Sequence, residues 1–166
     1  MFTIDLSPAS EAHPDDLLTL LACSYGAILT RDYFDDLVRA ALPVLYQPVP
    51  AALRGPHYVL ARRDGRVVGV GGWSRETPFG RPGVDGLGHV RHLAVSPDAL
   101  RGGVGRAIFG WITATAQAAQ VTRLVCLSPQ GAVPFFVAMG MQAQGEVALQ
   151  LTPHLSFPAV QMCWTG

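Results

Sequence analysis

The run Val95 to Phe109, VSPDALRGGVGRAIF, sets three glycines and two arginines between a stretch that reads as a strand and one that reads as a helix. Pro97 breaks the strand, and the helix begins near Gly103. The first turn of a helix exposes unpaired N–H groups and the positive end of the helix dipole. Glycines at 102, 103 and 105 let an anion come close to that backbone. Arg101 and Arg106 add charge and paired donors. The chemistry this suits is the binding of a phosphate or pyrophosphate. An ordinary strand–helix turn that needs glycine for its geometry uses the same residues, so the loop alone supports both readings. Two familiar phosphate motifs do not fit. The Walker A pattern ends in Gly-Lys-Ser/Thr, and this chain has no lysine. The dinucleotide fingerprint needs Gly-x-Gly-x-x-Gly and an acid about 20 residues on. Here the glycine spacing differs, and residues 107–145 hold no Asp or Glu.

The charge distribution points the same way. The net charge is zero. Residues 1–60 hold seven acids and three arginines, giving −4, and residues 61–106 hold four acids and eight arginines, giving +4. The glycine loop lies in the positive third, which favours a small anionic ligand there. Overall neutrality argues against a nucleic-acid surface. All twelve basic residues are arginine, which we ascribe to codon usage in a GC-rich genome.

The chain of 166 residues, 49% apolar and 14% charged, reads as a single globular domain, 1–166. No apolar run is long enough to span a bilayer, and the first residues do not read as a signal peptide, so a cytoplasmic protein is expected. Cys23, Cys126 and Cys163 lack metal-ligand spacing and read as reduced, buried thiols. No metal site is expected.

Several elements must position the loop. FTIDL alternates as a short strand. HPDDLLTLLACSYGAI reads as a helix. TRDYFDDLVRAALPVL reads as a second helix, capped by Thr30 and stopped by Pro43. HYVLARRDGRVVGVGGW is a hairpin signature around Asp64-Gly65. LGHVRHLAV reads as a strand. The helix after the loop carries Val104, Ile108, Trp111, Thr115 and Ala118 on one face. TRLVCLS is apolar enough to suggest a strand buried on both sides. AVPFFVAMG is a short helix ended by Gly140, and QGEVALQL and PAVQMCW close the chain as strands. The order β-α-α-β-β-β-α-β-α-β-β implies an α/β fold with a mixed sheet covered by helices.

The stretches HVRHLAVSPDALRGGVGRAIF and LVCLSPQGAVPFFVAMGMQAQG resemble the GNAT superfamily of acetyl-CoA-dependent N-acetyltransferases. The resemblance covers nearly the whole chain, most specifically 89–141. It implies a mostly antiparallel sheet of about seven strands flanked by about four helices. It also implies acetyl-CoA as cofactor and transfer of the acetyl group by direct attack of an amine, from a small molecule or peptide, in a ternary complex. The family loop Gln/Arg-x-x-Gly-x-Gly/Ala falls on Leu100-Arg101-Gly102-Gly103-Val104-Gly105, with leucine in the first slot and arginine one place later. Cofactor contacts are then expected from Leu93, Ala94, Val95, Arg101, Gly102, Gly103, Val104, Gly105, Arg106 and Phe136. The backbone of Leu93 and Val95 would pair with the pantetheine arm, and one of their N–H groups would polarise the thioester carbonyl.

The family base, a Glu on the fourth strand, is replaced by His89, which could serve at neutral pH or could be a strand histidine that only hydrogen-bonds nearby. His92, three residues on, is expected on the other face of the sheet and structural. The family's tyrosine acid is replaced by Phe136, which cannot donate a proton; Ser128 and Tyr25 are the substitutes considered. Trp73 and Tyr25 are expected in the acceptor pocket, although Trp73 reads equally as a core tryptophan, with Tyr33, Tyr46 and Phe79 as further contributors. Glu76 and Asp85 could bind the amine, and Asp32, Asp35 and Asp36 could attract a cationic acceptor, although solvated acids read the same way. The missing tyrosine leaves a second function open, an acyl-CoA-binding sensor without turnover. AVQMCW is apolar enough to suggest a homodimer contact, and no membrane partner is expected.

Overall fold

The computed structural model describes residues 3–46, 53–78 and 80–166. Its strands are β1 (Ile4–Pro8), β2 (Tyr58–Arg63), β3 (Arg66–Ser74), β4 (Leu87–Val95), β5 (Arg123–Ser128), β6 (Gln142–Thr152) and β7 (Leu155–Thr165). Its helices are α1 (Pro14–Asp32), α2 (Asp35–Tyr46), α3 (Val104–Ala118) and α4 (Val133–Ala138). The strands form one sheet in the order β1-β2-β3-β4-β5-β7-β6. Every neighbouring pair is antiparallel except β4 and β5. The element order and the mixed, mostly antiparallel sheet agree with the sequence reading. No helix among the described residues is long and apolar enough to cross a membrane.

The two sheet faces are covered differently. α1 buries Leu17, Leu20 and Leu21 against Leu60, Val70 and Ala94. α2 and the end of α1 close over Phe157 of β7. On the opposite face α3 buries Val104, Ile108, Ile112 and Ala116, spaced by four, against Val68, Trp73 and Val90. That stripe is rotated from the expected one: Trp111 sits half-buried at its flank. Close approach of α3 depends on β3. A Cβ at Gly71 would lie 2.7 Å from Ile108 and 2.8 Å from Leu93, and one at Gly69 would lie 2.7 Å from Ile108 and Val104.

Several local expectations are corrected. α1 runs on through Thr30, whose hydroxyl donates to the Gly26 carbonyl, so Thr30 does not cap α2. Pro43 lies inside α2 and does not stop it; buried Val38 and Ala41 hold the helix to the body. β5 alternates, with Leu124, Cys126 and Ser128 buried and Val125 and Leu127 only half-buried. Cys23 is exposed on α1, while burial pushes the Cys126 thiol up to about 12. β7, which carries AVQMCW, pairs with β5 over Val160–Thr165 and with β6 on its other side, and the strand at that end of the sheet is β6. The hairpin is as expected, with Asp64 and Gly65 both at positive φ.

The Gly71 contacts give a direct test. Gly71→Ala should cost about 1–3 kcal/mol, because the new methyl overlaps Ile108 and Leu93 and α3 must lift. Urea unfolding measures it, and a cost below about 0.5 kcal/mol would show that α3 is not seated on the β3 glycines.

Candidate active site

β4 and β5 run side by side for only three residues, Leu87–His89 against Arg123–Val125. β4 then continues to Val95 and β5 to Ser128 with no further pairing, so the two strands open as a wedge. On its other side β4 carries a bulge. Arg91 pairs with Gly72 and Ala94 with Val70, which leaves His92 and Leu93 opposite the single residue Gly71. His92 takes the left-handed φ of 55° that this requires.

The bulge shifts which residues face which layer. Val90 packs with Trp73 on the α3 side, yet beyond the bulge Leu93 and Val95 pack there. His89 and Arg91 therefore share the α1 face with Ala94. His92 also lies on that side, its ring 6.0 Å from Tyr58. The expectation that His92 points away from His89 fails because simple alternation does not survive a two-for-one insertion. The Tyr58 ring fills the space above Gly72, where a Cβ would overlap it.

Arg91 faces this group of rings. Burial lowers the His89 pKa and Arg91 lowers it further, so His89 is a neutral imidazole at pH 7. His92 falls to about 4 for the same two reasons in the same order. Burial pushes the Tyr25 hydroxyl well up, with Tyr58 adding and Arg91 opposing. Tyr58 rises through burial, opposed by Arg91 and reinforced by Glu76. His92 Nδ1 and Tyr58 Oη are buried with no hydrogen-bond partner among the described residues.

The wedge opens toward the glycine loop. After β4 comes a single 3-10 turn, Pro97–Ala99, and then Leu100 to Gly103 leads into α3. Gly103 caps the helix in the left-handed region at φ 82°, no side chain caps the end, and no acid sits in the first turn. Arg101 also adopts positive φ, 65°, which is unfavourable for a residue with a Cβ. Arg101, Gly102, Gly103 and Arg106 are exposed. The end of α3 is thus an uncapped positive terminus flanked by two guanidiniums. Gly105 has another reason to be glycine: a Cβ there would lie 2.9 Å from the Phe135 ring of α4.

A cavity of about 520 Å³ lies where β4 and β5 part; Thr77, Arg81, His89, Arg123, Val125 and Gln161 are among its walls. The half-buried side of β5 is therefore a cavity wall, which explains an apolar strand that is not buried on both faces. A second cavity, about 570 Å³, is bounded by Ala9–Pro14, Leu17, Leu53 and Arg54 and shares no residue with the wedge or loop.

Other expected site residues are placed elsewhere. Trp73 is fully buried, its indole N–H donating to Thr115 Oγ1 at 3.0 Å and its ring stacked on His57. It is a core residue and does not line the cavity where β4 and β5 part. Phe136 is buried between Phe109 and Phe135. Ser128 is buried and donates to the Pro129 carbonyl. The Tyr33 hydroxyl donates to Pro158 O and accepts from Gln130 N–H, tying α1 to β7. Asp36 pairs with Arg39 on an exposed surface, and Asp32 and Asp35 are exposed. Glu76 and Asp85 are exposed in the loop before β4. Phe79 and the Tyr46 side chain lie outside the described residues. Ser24 was not anticipated: it is fully buried on α1 and accepts the Val95 N–H at 3.2 Å. Nor were Arg81, Arg91 and Arg123, whose only signal in the sequence is the arginine excess of the middle third and an arginine opening β5.

A parallel strand pair that parts beside a bulge, with an open helix terminus at the wide end, can take one elongated ligand with an anionic group at the helix end. The chain belongs to the Acetyltransferase (GNAT) family, whose model matches residues 15–141. It is an acyltransferase, and the donor used by the family is acetyl-CoA. Solved structures agree on the fold. A GCN5-related N-acetyltransferase from Rhodopseudomonas palustris superposes with a TM-score of 0.79 at 19% identity, over 99% of this chain and 96% of that one. The PaiA N-acetyltransferase of Thermoplasma acidophilum, solved with coenzyme A, gives 0.65 at 11% identity, covering 99% of each chain. N-acetylglutamate synthase from Neisseria gonorrhoeae, complexed with coenzyme A and N-acetyl-glutamate, gives 0.61 at 16% identity, over 98% of this chain and 35% of that one. No curated protein matches the chain in sequence.

The depressed His92 gives a pH prediction. Its folded pKa of about 4 lies below the ordinary 6.5, so between those values the unfolded chain binds more protons. Stability should fall as pH drops through that window, by up to about 1.4 kcal/mol per unit from this residue. His92→Asn keeps a residue that tolerates positive φ and removes the titration. Its unfolding free energy should fall less steeply between pH 6.5 and 4.5 than that of the parent; an equal slope would place the proton uptake elsewhere.

Proposed function

We propose that this chain transfers the acetyl group of acetyl-CoA to a primary amine, with the pyrophosphate on the loop Leu100–Arg106 and His89 as the base. The observation that carries the reading is the uncapped α3 terminus, with Gly103 at φ 82° and Gly102 exposed beside it, at the open end of the β4–β5 wedge. Such a terminus, free of side-chain caps and acids, fits a pyrophosphate. The N–H groups of Gly103, Val104 and Gly105 would hold it, with Arg101 and Arg106 beside them. When bound, acetyl-CoA supplies an activated acyl group as a thioester. The N–H of Val95, which donates to Ser24 in this structure, would serve the pantetheine arm or the acyl carbonyl by exchanging that partner. Neutral His89, at the closed end of the wedge, takes a proton from the acceptor ammonium on its unprotonated ring nitrogen. Buried Phe136 supplies no proton to the departing sulfur. A thiol of ordinary pKa, about 8.5, leaves without one.

Two variants separate binding from chemistry. A Cβ at Gly103 meets nothing closer than Ile4 at 3.8 Å and the residue is exposed, so Gly103→Glu should fold, at a cost of about 1–2 kcal/mol for the left-handed backbone. It should lose acetyl-CoA binding, because the carboxylate sits where the phosphates must. Retained affinity in the folded variant, read by calorimetry, would remove the loop from the cofactor site. His89→Ala should cut kcat by about 100-fold or more while leaving acetyl-CoA affinity nearly unchanged. In the parent, kcat should rise with pH to a plateau through a midpoint below 6.5, the ordinary value from which His89 is lowered. A thiol-release assay from pH 5 to 8 reads both. An acid limb that survives in the variant would assign the base to another group.

A further inference from the structure

The walls of the β4–β5 cavity carry charge of one sign. Arg81 enters from the loop before β4 and Arg123 from the first residue of β5, with His89 alongside. Arg91 follows His89 by two residues on the same face of β4, one step beyond the cavity. No Asp or Glu lines the cavity. Among the described residues the ion pairs are His13–Asp15, Arg39–Asp36 and Arg66–Asp98, and none involves Arg81, Arg91 or Arg123. The residues outside the described set contain no Asp or Glu. Glu76, whose charge reaches Tyr58, is exposed and does not line the cavity.

Such a cavity repels a simple ammonium ion. It accepts one whose molecule also carries an anion. The same positive field lowers the pKa of the bound amine, which helps the deprotonation that His89 must perform. About 520 Å³ is the size of a small-molecule site. We infer that the acceptor is a small primary amine that also bears an anionic group, a carboxylate or a phosphate, held by Arg81 and Arg123 while its amine faces His89. This rests on the reading of the site as an amine acetyltransferase. The amine nitrogen bonds to the acetyl carbon as the carbon–sulfur bond breaks. Of the two protons the ammonium sheds, one goes through His89 to solvent and one ends on the sulfur.

The test is thiol release by the whole chain with the twenty α-amino acids, their carboxamides, phosphoethanolamine beside ethanolamine, and spermidine. Acetyl-CoA binding is measured separately by calorimetry. An anionic amine should exceed its neutral counterpart in kcat/KM by about tenfold or more, the effect of a charge-assisted pair of bonds. Preference for amino acids assigns the anion as carboxylate, and preference for phosphoethanolamine assigns it as phosphate. Arg81→Ala and Arg123→Ala, both at exposed positions, should erase that preference through the acceptor KM and leave the KM for acetyl-CoA unchanged. Carboxamides, ethanolamine or spermidine turning over as well as the anionic amines would overturn the inference. So would a chain that binds acetyl-CoA and acetylates none of the anionic amines. A chain that does not bind acetyl-CoA would overturn the underlying reading instead, and the inference with it.

Discussion

The site depends on one mismatch in strand pairing. β4 keeps its partner β5 for three residues and then leaves it, and on its other edge it sets two residues, His92 and Leu93, against Gly71. A bulge bends its strand and raises the local twist. Here it accompanies a gap in the middle of a sheet whose other pairs are continuous or nearly so. The gap leaves the Val95 N–H without a partner on β5, so that it bonds Ser24 of α1, places His89 at its closed end, and aims its open end at the start of α3. Hydrophobic burial fixes the β4 side of the gap on both faces of the sheet: α1 packs on Leu60, Val70 and Ala94, and α3 on Val68, Trp73 and Val90.

Electrostatics then divides the gap into two anion-seeking ends. At the open end the α3 dipole, Arg101 and Arg106 act on exposed backbone. At the closed end Arg81, Arg91 and Arg123 act on a cavity and on buried rings. Burial, with Arg91 adding to it, keeps His89 and His92 neutral at pH 7. The polar atoms left unpartnered beside it, Tyr58 Oη and His92 Nδ1, are kept in place by packing, with Tyr58 lying over Gly72.

The sequence was most legible where a residue type is demanded locally. The hairpin at Asp64-Gly65, the element order and the loop ending in Gly103 follow from glycine's freedom at positive φ and from hydrophobic period. The features that failed are set by partners distant in the chain. The face of His92 depends on where β3 pairs, and no pattern within LGHVRHLAV marks the bulge. The apolar β5 looked buried on both sides because a cavity wall and a core wall share the same composition. Gly105 has a second reason to be glycine that no local pattern shows: its Cβ position is filled by Phe135, some thirty residues on. Trp73 reads equally as a pocket wall or a core residue, and only its partners Thr115 and His57 decide for the core. Arg81 and Arg123 lie far apart in sequence, and only the sheet order brings them to one cavity.

The central claim is that the wedge and the α3 terminus form a site for acetyl-CoA. Thermal unfolding of the whole chain with saturating acetyl-CoA, beside ATP and NAD, tests it most directly. A ligand that binds only the native state, at about 100 times its Kd, adds about 2.7 kcal/mol, which raises the Tm of a chain this size by about 5–10 °C. The account predicts that rise for acetyl-CoA and little or none for ATP and NAD. No shift with acetyl-CoA, or an equal shift with ATP or NAD, would contradict it and leave the glycines as a turn or as a general phosphate clasp.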